Sequence, residues 1–117
     1  MDIGKDLVAA SATPLVLAIL AEGESYGYAI IKRVAELSGG ELQWTDGMLY
    51  PVLHRLERNR FVKAVWGQSE SGRRRKYYRL TDSGEDELAS QRRQWQVVDT
   101  ALRRTQVTSF QLVLQGG

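Results

Sequence analysis

Apolar and polar positions along the chain alternate with helical period first, strand period later, then helical period again. Residues 5–22 place Leu7, Val8, Leu15, Leu17, Ile19 and Leu20 at repeated spacings of three, four and seven, which predicts a first helix. Pro14 lies inside it, so a kink or a separate preceding turn is expected there, with Gly23 as the left-handed cap. Ser25 is the expected N-cap of a second helix from about Tyr26 to Leu37. Tyr26, Ile30, Val34 and Leu37 share its inner face, and Lys32, Arg33 and Glu36 point outward. Residues 41–45 alternate and predict a short strand. Thr45 and Asp46 then cap a third helix, where Leu49, Val52, Leu53 and Leu56 fall at i, i+3, i+4 and i+7. Its opposite face carries Tyr50, Pro51, His54, Arg55 and Arg58. Pro51 predicts a late helix start or a distortion over Gly47. Two β-rich runs follow, 61–66 and 76–80, joined by a basic hairpin tip over 67–75. Thr81, Asp82 and Ser83 cap a last helix to about Arg104, with Leu88, Trp95 and Leu102 seven apart and Val98 between.

The fold class is therefore mainly α with a small β-hairpin (α+β): a winged helix-turn-helix unit followed by one long C-terminal helix. Residues 1–80 form this winged-helix unit, 81–106 the last helix, and 107–117 a tail whose Phe110, Leu112 and Leu114 are left without assignment.

Composition narrows the function. The 117 residues contain no cysteine and one histidine. Disulfides, thiolate nucleophiles and zinc–thiolate sites are thereby excluded, and a lone histidine builds no metal site. No glycine-rich phosphate loop, nucleophile elbow or paired carboxylate constellation is present, so an enzyme is not expected, nor a cofactor. No run approaches the ~20 apolar residues of a membrane span. Met1–Asp6 lacks the basic region of a signal peptide, and a cytoplasmic location is expected.

Charge then changes the picture. Residues 54–79 hold nine Lys/Arg against Glu57 and Glu70, a local +7, which leaves −5 for the rest of a chain whose net charge is +2. A basic face on an acidic body points to a polyanion. In a winged helix the third helix enters the major groove while its inner face packs on the other two, and the hairpin reaches phosphates or the minor groove. Residues 46–58 have the composition this demands. Double-stranded DNA is the expected partner, contacted by Lys32, Thr45, Met48, Tyr50, Pro51, His54, Arg55, Arg73, Arg74, Arg75 and Lys76. Solvated surface is the competing reading for Lys32, Arg33 and His54, and surface packing for Tyr50.

The run Met48-Leu49-Tyr50-Pro51-Val52-Leu53-His54-Arg55-Leu56-Glu57 resembles the recognition helix of the PadR-like transcriptional regulators. Ser25-Tyr26-Gly27-Tyr28-Ala29-Ile30 and the stretch from Gly72 to Gly84 agree with the same family, so the resemblance spans roughly residues 12–104 in order. The single C-terminal helix is similar to its shorter branch; Asp46-Gly47 departs from the usual helix start. The resemblance implies that residues 1–80 are the DNA-binding unit and that 81–106 is a dimerisation helix to which the first helix adds, usually with repression of adjacent genes. A two-fold homodimer then calls for a pseudo-palindromic operator. Leu7, Val8, Leu88, Trp95, Val98 and Leu102 are the expected dimer interface. Trp95 carries two readings: plain packing, or a platform for a flat aromatic effector as in multidrug-sensing relatives, with Val8, Leu15 and Asp99 beside it. A winged-helix module binding proteins is the rival to DNA binding, and salt dependence separates them.

Overall fold

The structure is a computed structural model and describes residues 1–106; the tail assignment at 107–117 lies outside the described residues. Helix α1 spans Lys5–Ala21, α2 Gly27–Leu37 and α3 Asp46–Arg58. Strand β1 (Val62–Gln68) pairs antiparallel with β2 (Arg74–Leu80), and α4 spans Asp82–Arg104. This is the expected α+β winged-helix order.

α1 runs as one helix through Pro14, so no separate turn precedes it. One missing N–H is tolerated because Ala12, Val16, Leu17, Ile19 and Leu20 pin the helix into the core on both sides of it. α3 also starts at once. Thr45 caps it, its Oγ1 accepting from the Met48 N–H at 3.3 Å, and the helix passes through Pro51 with no late start. Its predicted stripe of Leu49, Val52, Leu53 and Leu56 is buried, packed on Val16, Leu17, Ile30 and Val34. α3 ends in a left-handed residue, Arg60 (φ 63°), whose turn lets the Phe61 N–H reach the Leu56 carbonyl at 2.9 Å.

Three local expectations are corrected. Residues 41–45 are not a strand: the segment has no pairing edge, and its alternation reflects Leu42 and Trp44 packing on the core as the chain passes over it. Ser25 does not cap α2. Tyr26 holds that position, while Ser25 forms a bridge to Tyr78, with backbone bonds of 3.0 and 2.7 Å. Leu37 is half exposed rather than part of the buried face of α2. The strands are also longer than expected. A tight turn confines the hairpin tip to 69–73, with the Ser69 N–H bonded to the Arg73 carbonyl at 2.8 Å and Gly72 at φ 82°.

Thr81 caps α4 as expected, its hydroxyl accepting from the Gly84 N–H at 3.0 Å. The first turns of α4 join the core. Leu88 is buried there, and Gly84 lies so close to the Phe61 carbonyl that no side chain fits between them.

Candidate nucleic-acid interface

The buried stripe of α3 sets which way its other face looks. Tyr50, Pro51, His54, Arg55 and Arg58 are all exposed on it, and the Tyr50 and His54 rings lie 6.2 Å apart. Tyr50 is seated against α2: a Cβ built on Gly27 would fall 2.5 Å from its hydroxyl, so only glycine leaves room for the phenol. Arg55 leans back to α1, where its guanidinium donates to Thr13 Oγ1 at 2.8 Å. Two residues expected at the interface have other work. Met48 is partly buried against the core, and the Thr45 hydroxyl is engaged in capping. Tyr28, on the outer side of α2, is 69% exposed.

The hairpin deals its basic run onto two faces. Trp66, Arg74, Lys76 and Tyr78 share the face that continues into the core, because Trp66 opposes Lys76 and Ala64 opposes Tyr78. The Arg74 guanidinium stacks 4.2 Å from the Trp66 ring centre, and the Lys76 ammonium lies 5.5 Å from that of Tyr78. Arg75 turns to the other face, 3.8 Å over the Tyr26 ring, which meets Tyr77 edge-on at 5.6 Å. Arg73 is exposed at the tip. The sequence run treated as one basic stretch is thus two aromatic–cation stacks facing opposite ways. The stacking aromatics Tyr26 and Trp66 went unnoticed, although alternation within the strands predicts both faces.

Ion pairing sorts the remaining charges. Arg79 pairs with Glu24 at 3.0 Å, and Arg33 pairs with Glu22 at 2.8 Å and Glu36 at 3.4 Å. Arg33 is therefore engaged within the protein, and its hydrogen bond holds the Glu22 carboxyl below the usual carboxylate range. Lys32, Arg58, Lys63, Arg73, Arg74, Arg75 and Lys76 have no carboxylate partner within ion-pair distance among the described residues. Lys5, Arg92, Arg93 and Arg104 also lack such a partner, on α1 and α4, but the densest group, from Arg58 to Lys76, lies on α3 and the hairpin, where a polyanion would neutralise it.

Residues 16–90 match the family model described as the transcriptional regulator PadR-like family. The chain belongs to the PadR-like family of transcriptional regulators. A PadR family transcription regulator from Clostridium difficile is 32% identical, with a TM-score of 0.71, covering 80% of this chain and 96% of its own. One from Eggerthella lenta is also 32% identical, with a TM-score of 0.74 and coverages of 89% and 88%. A transcriptional regulator from Clostridium thermocellum superposes with a TM-score of 0.78 at 26% identity, covering 87% and 99%. This PadR-like chain is accordingly a DNA-binding regulator and not an enzyme.

A second feature of this PadR-like protein lies away from the basic face. Ile3, Leu7, Ser11, Pro14, Leu15 and Ala18 of the N-terminal segment face Leu88, Arg92 and Trp95 of α4 across a largely apolar cavity of about 520 Å³. Of the four residues expected at an effector site, Leu15 and Trp95 line it. Val8 and Asp99 do not: Val8 is turned about one residue round α1 from the lining row, and Asp99 is held at 2.7 Å by Arg103. The expected dimer residues divide similarly. Leu88 is consumed by the protomer's own core, whereas Leu7, Val98 and Leu102 are 51%, 53% and 64% exposed. Among the described residues no helix is long and apolar enough to cross a membrane, and no cluster of metal-ligating side chains occurs.

Proposed function

We propose that this chain is a cytoplasmic repressor that binds a pseudo-palindromic operator as a homodimer. Residues 1–80 carry the DNA contacts and 81–106 most of the dimer contacts, to which α1 adds; this division is one of function, since both segments share a core. The observation that carries the reading is the unpaired positive charge on α3 and the hairpin beside the exposed Tyr50 and His54. In this reading Tyr50, Pro51 and His54 face base edges and phosphates in the major groove, with Arg55 released from Thr13 on binding. Arg73, Arg74 and Lys76 supply phosphate affinity from the hairpin, Lys32 adds a backbone contact from α2, and Arg75 secures the hairpin to Tyr26. Leu7, Trp95, Val98 and Leu102 present the apolar surface through which two copies join. A flat aromatic effector entering beside Leu15 and Trp95 would alter the spacing of the two recognition helices and shift the DNA-competent population. The cavity has the volume of a small-molecule site, ordinarily about 300–1,000 Å³.

Footprinting on the region upstream of the chain's own gene tests the core of this proposal. Two protected half-sites with centres about 34 Å apart are expected. Affinity should fall linearly with salt on logarithmic axes, steeply for about six or more phosphate contacts. Weak, sequence-blind binding at low salt overturns the reading in favour of a protein-interaction module. Titration with planar cationic dyes tests the effector: quenching of tryptophan emission is expected in the native protein and not in Trp95→Ala.

A further inference from the structure

Trp66 is 54% exposed, a large aromatic on the outer part of the wing. Packing does not account for it, since the core ends one step earlier on this face, at Ala64 and Tyr78. Its ring is nevertheless occupied. Arg74, diagonal to it across the strands, lays its guanidinium 4.2 Å from the ring centre, and Lys76 stands directly opposite. From the tip inward the face therefore reads cation, aromatic, cation, aromatic: Arg74, Trp66, Lys76, Tyr78. The row ends in the core, where Tyr78 is buried with the Lys76 ammonium 5.5 Å from its ring centre.

We propose that Trp66 is a positioning residue for DNA binding, its indole holding the Arg74 guanidinium on the same wing face as Lys76 so that its free N–H edge meets the DNA backbone. This rests on the assignment of the wing to phosphate contact. An unstacked arginine at a hairpin tip must give up its rotamer freedom when it binds; one already laid on an indole face has less to lose and is less hydrated. The stack covers one ring face and leaves the fork of donors at the edge, the part that matches phosphate oxygens. Trp66 thereby prepares the contact without making it.

The test is a double-mutant cycle in the full chain, read by anisotropy of a labelled duplex from the region upstream of its own gene, across a salt series. Arg74→Ala should weaken binding and lower the salt slope by about one per protomer. Trp66→Leu, which keeps apolar bulk but no ring, should weaken binding about 2- to 5-fold per protomer, the equivalent of an exposed cation–π contact of about 0.5–1 kcal/mol. Trp66→Phe should retain most of the affinity. The Trp66→Leu/Arg74→Ala double variant should bind like Arg74→Ala alone, because the indole acts only through the guanidinium. Full affinity in Trp66→Leu, or losses that add in the double variant, overturns the proposal while leaving the wing assignment intact. If Arg74→Ala, Lys76→Ala and Arg73→Ala are all silent, the wing assignment fails and this proposal with it. Thermal melting separates a positioning effect from misfolding, and Trp66→Gln gives the same comparison should the leucine variant aggregate.

Discussion

Gly27 and Tyr50 belong to different helices and are 23 positions apart in sequence, yet each determines what the other can be. A methyl group at residue 27 would meet the Tyr50 hydroxyl at 2.5 Å, but the atom in the way is the far end of a movable side chain. Gly27→Ala should therefore leave stability within about 1 kcal/mol, since alanine also favours the helix, while displacing the phenol from its seat. DNA affinity should fall at least as far as in Tyr50→Phe, with melting temperature nearly unchanged; wild-type affinity in Gly27→Ala would show that the seat is dispensable. Tyr78 is the opposite case, buried with a hydroxyl that has no hydrogen-bond partner among the described residues. Desolvation pushes its phenol above the ordinary value of 10. The folded state then favours the neutral form: stability is full below pH 10 and declines as pH rises through the raised value. Tyr78→Phe should be neutral or stabilising by up to about 1 kcal/mol at pH 7, and should lack that alkaline step in urea titrations run from pH 7 to 11.

At the scale of elements, the junction between wing and last helix is closely packed around Gly84. Gly84 sits in the first turn of α4 against the Phe61 carbonyl and the Leu80 side chain, while Thr81 bonds the same loop. The Phe61 carbonyl is backbone and has nowhere to go. Gly84→Ala should thus cost about 3 kcal/mol in denaturant midpoint measurements, unlike Gly27→Ala, where a side chain yields. The helices show where periodicity suffices. Four apolar residues at helical spacing set the buried face of α3, and the exposed face followed without further information. Period two was less reliable: residues 41–45 alternate like a strand, but a strand exists only where an edge is offered, and the short sheet pairs β1 with β2 alone. Prolines 14 and 51 misled for a related reason. The loss of one hydrogen bond is a local cost, and packing along the whole of α1 and α3 outweighs it.

Across the molecule, two surfaces stand apart in chemistry: the unpaired cations from Arg58 to Lys76 on α3 and the hairpin, and the exposed Val97, Val98 and Leu102 on the far half of α4. Val98→Asp together with Leu102→Asp should make the chain monomeric in sedimentation and abolish the paired half-site footprint, while leaving the melting transition of the protomer in place, since neither residue belongs to its core. A stable dimer in that variant would move the interface elsewhere. Asp99 illustrates why a stripe on one helix does not specify a site. It lies one turn from Trp95, but Arg103 on its own helix claims it, and the opposite wall of the cavity comes from Leu7, Leu15 and Leu42.

The sequence by itself determined the winged-helix order, the buried face of α3, the concentration of charge between residues 54 and 79, and the family, because each depends on local spacing or local composition. Tertiary structure decided what those residues meet. It split Arg74 and Lys76 from Arg75, paired Arg33 and Arg79 with carboxylates, withdrew Leu88 and Met48 into the core, and set Trp66 beneath a guanidinium. Strand pairing and helix packing join residues distant in sequence, and the partner across that distance, not the residue alone, decides whether a charge stands free for DNA.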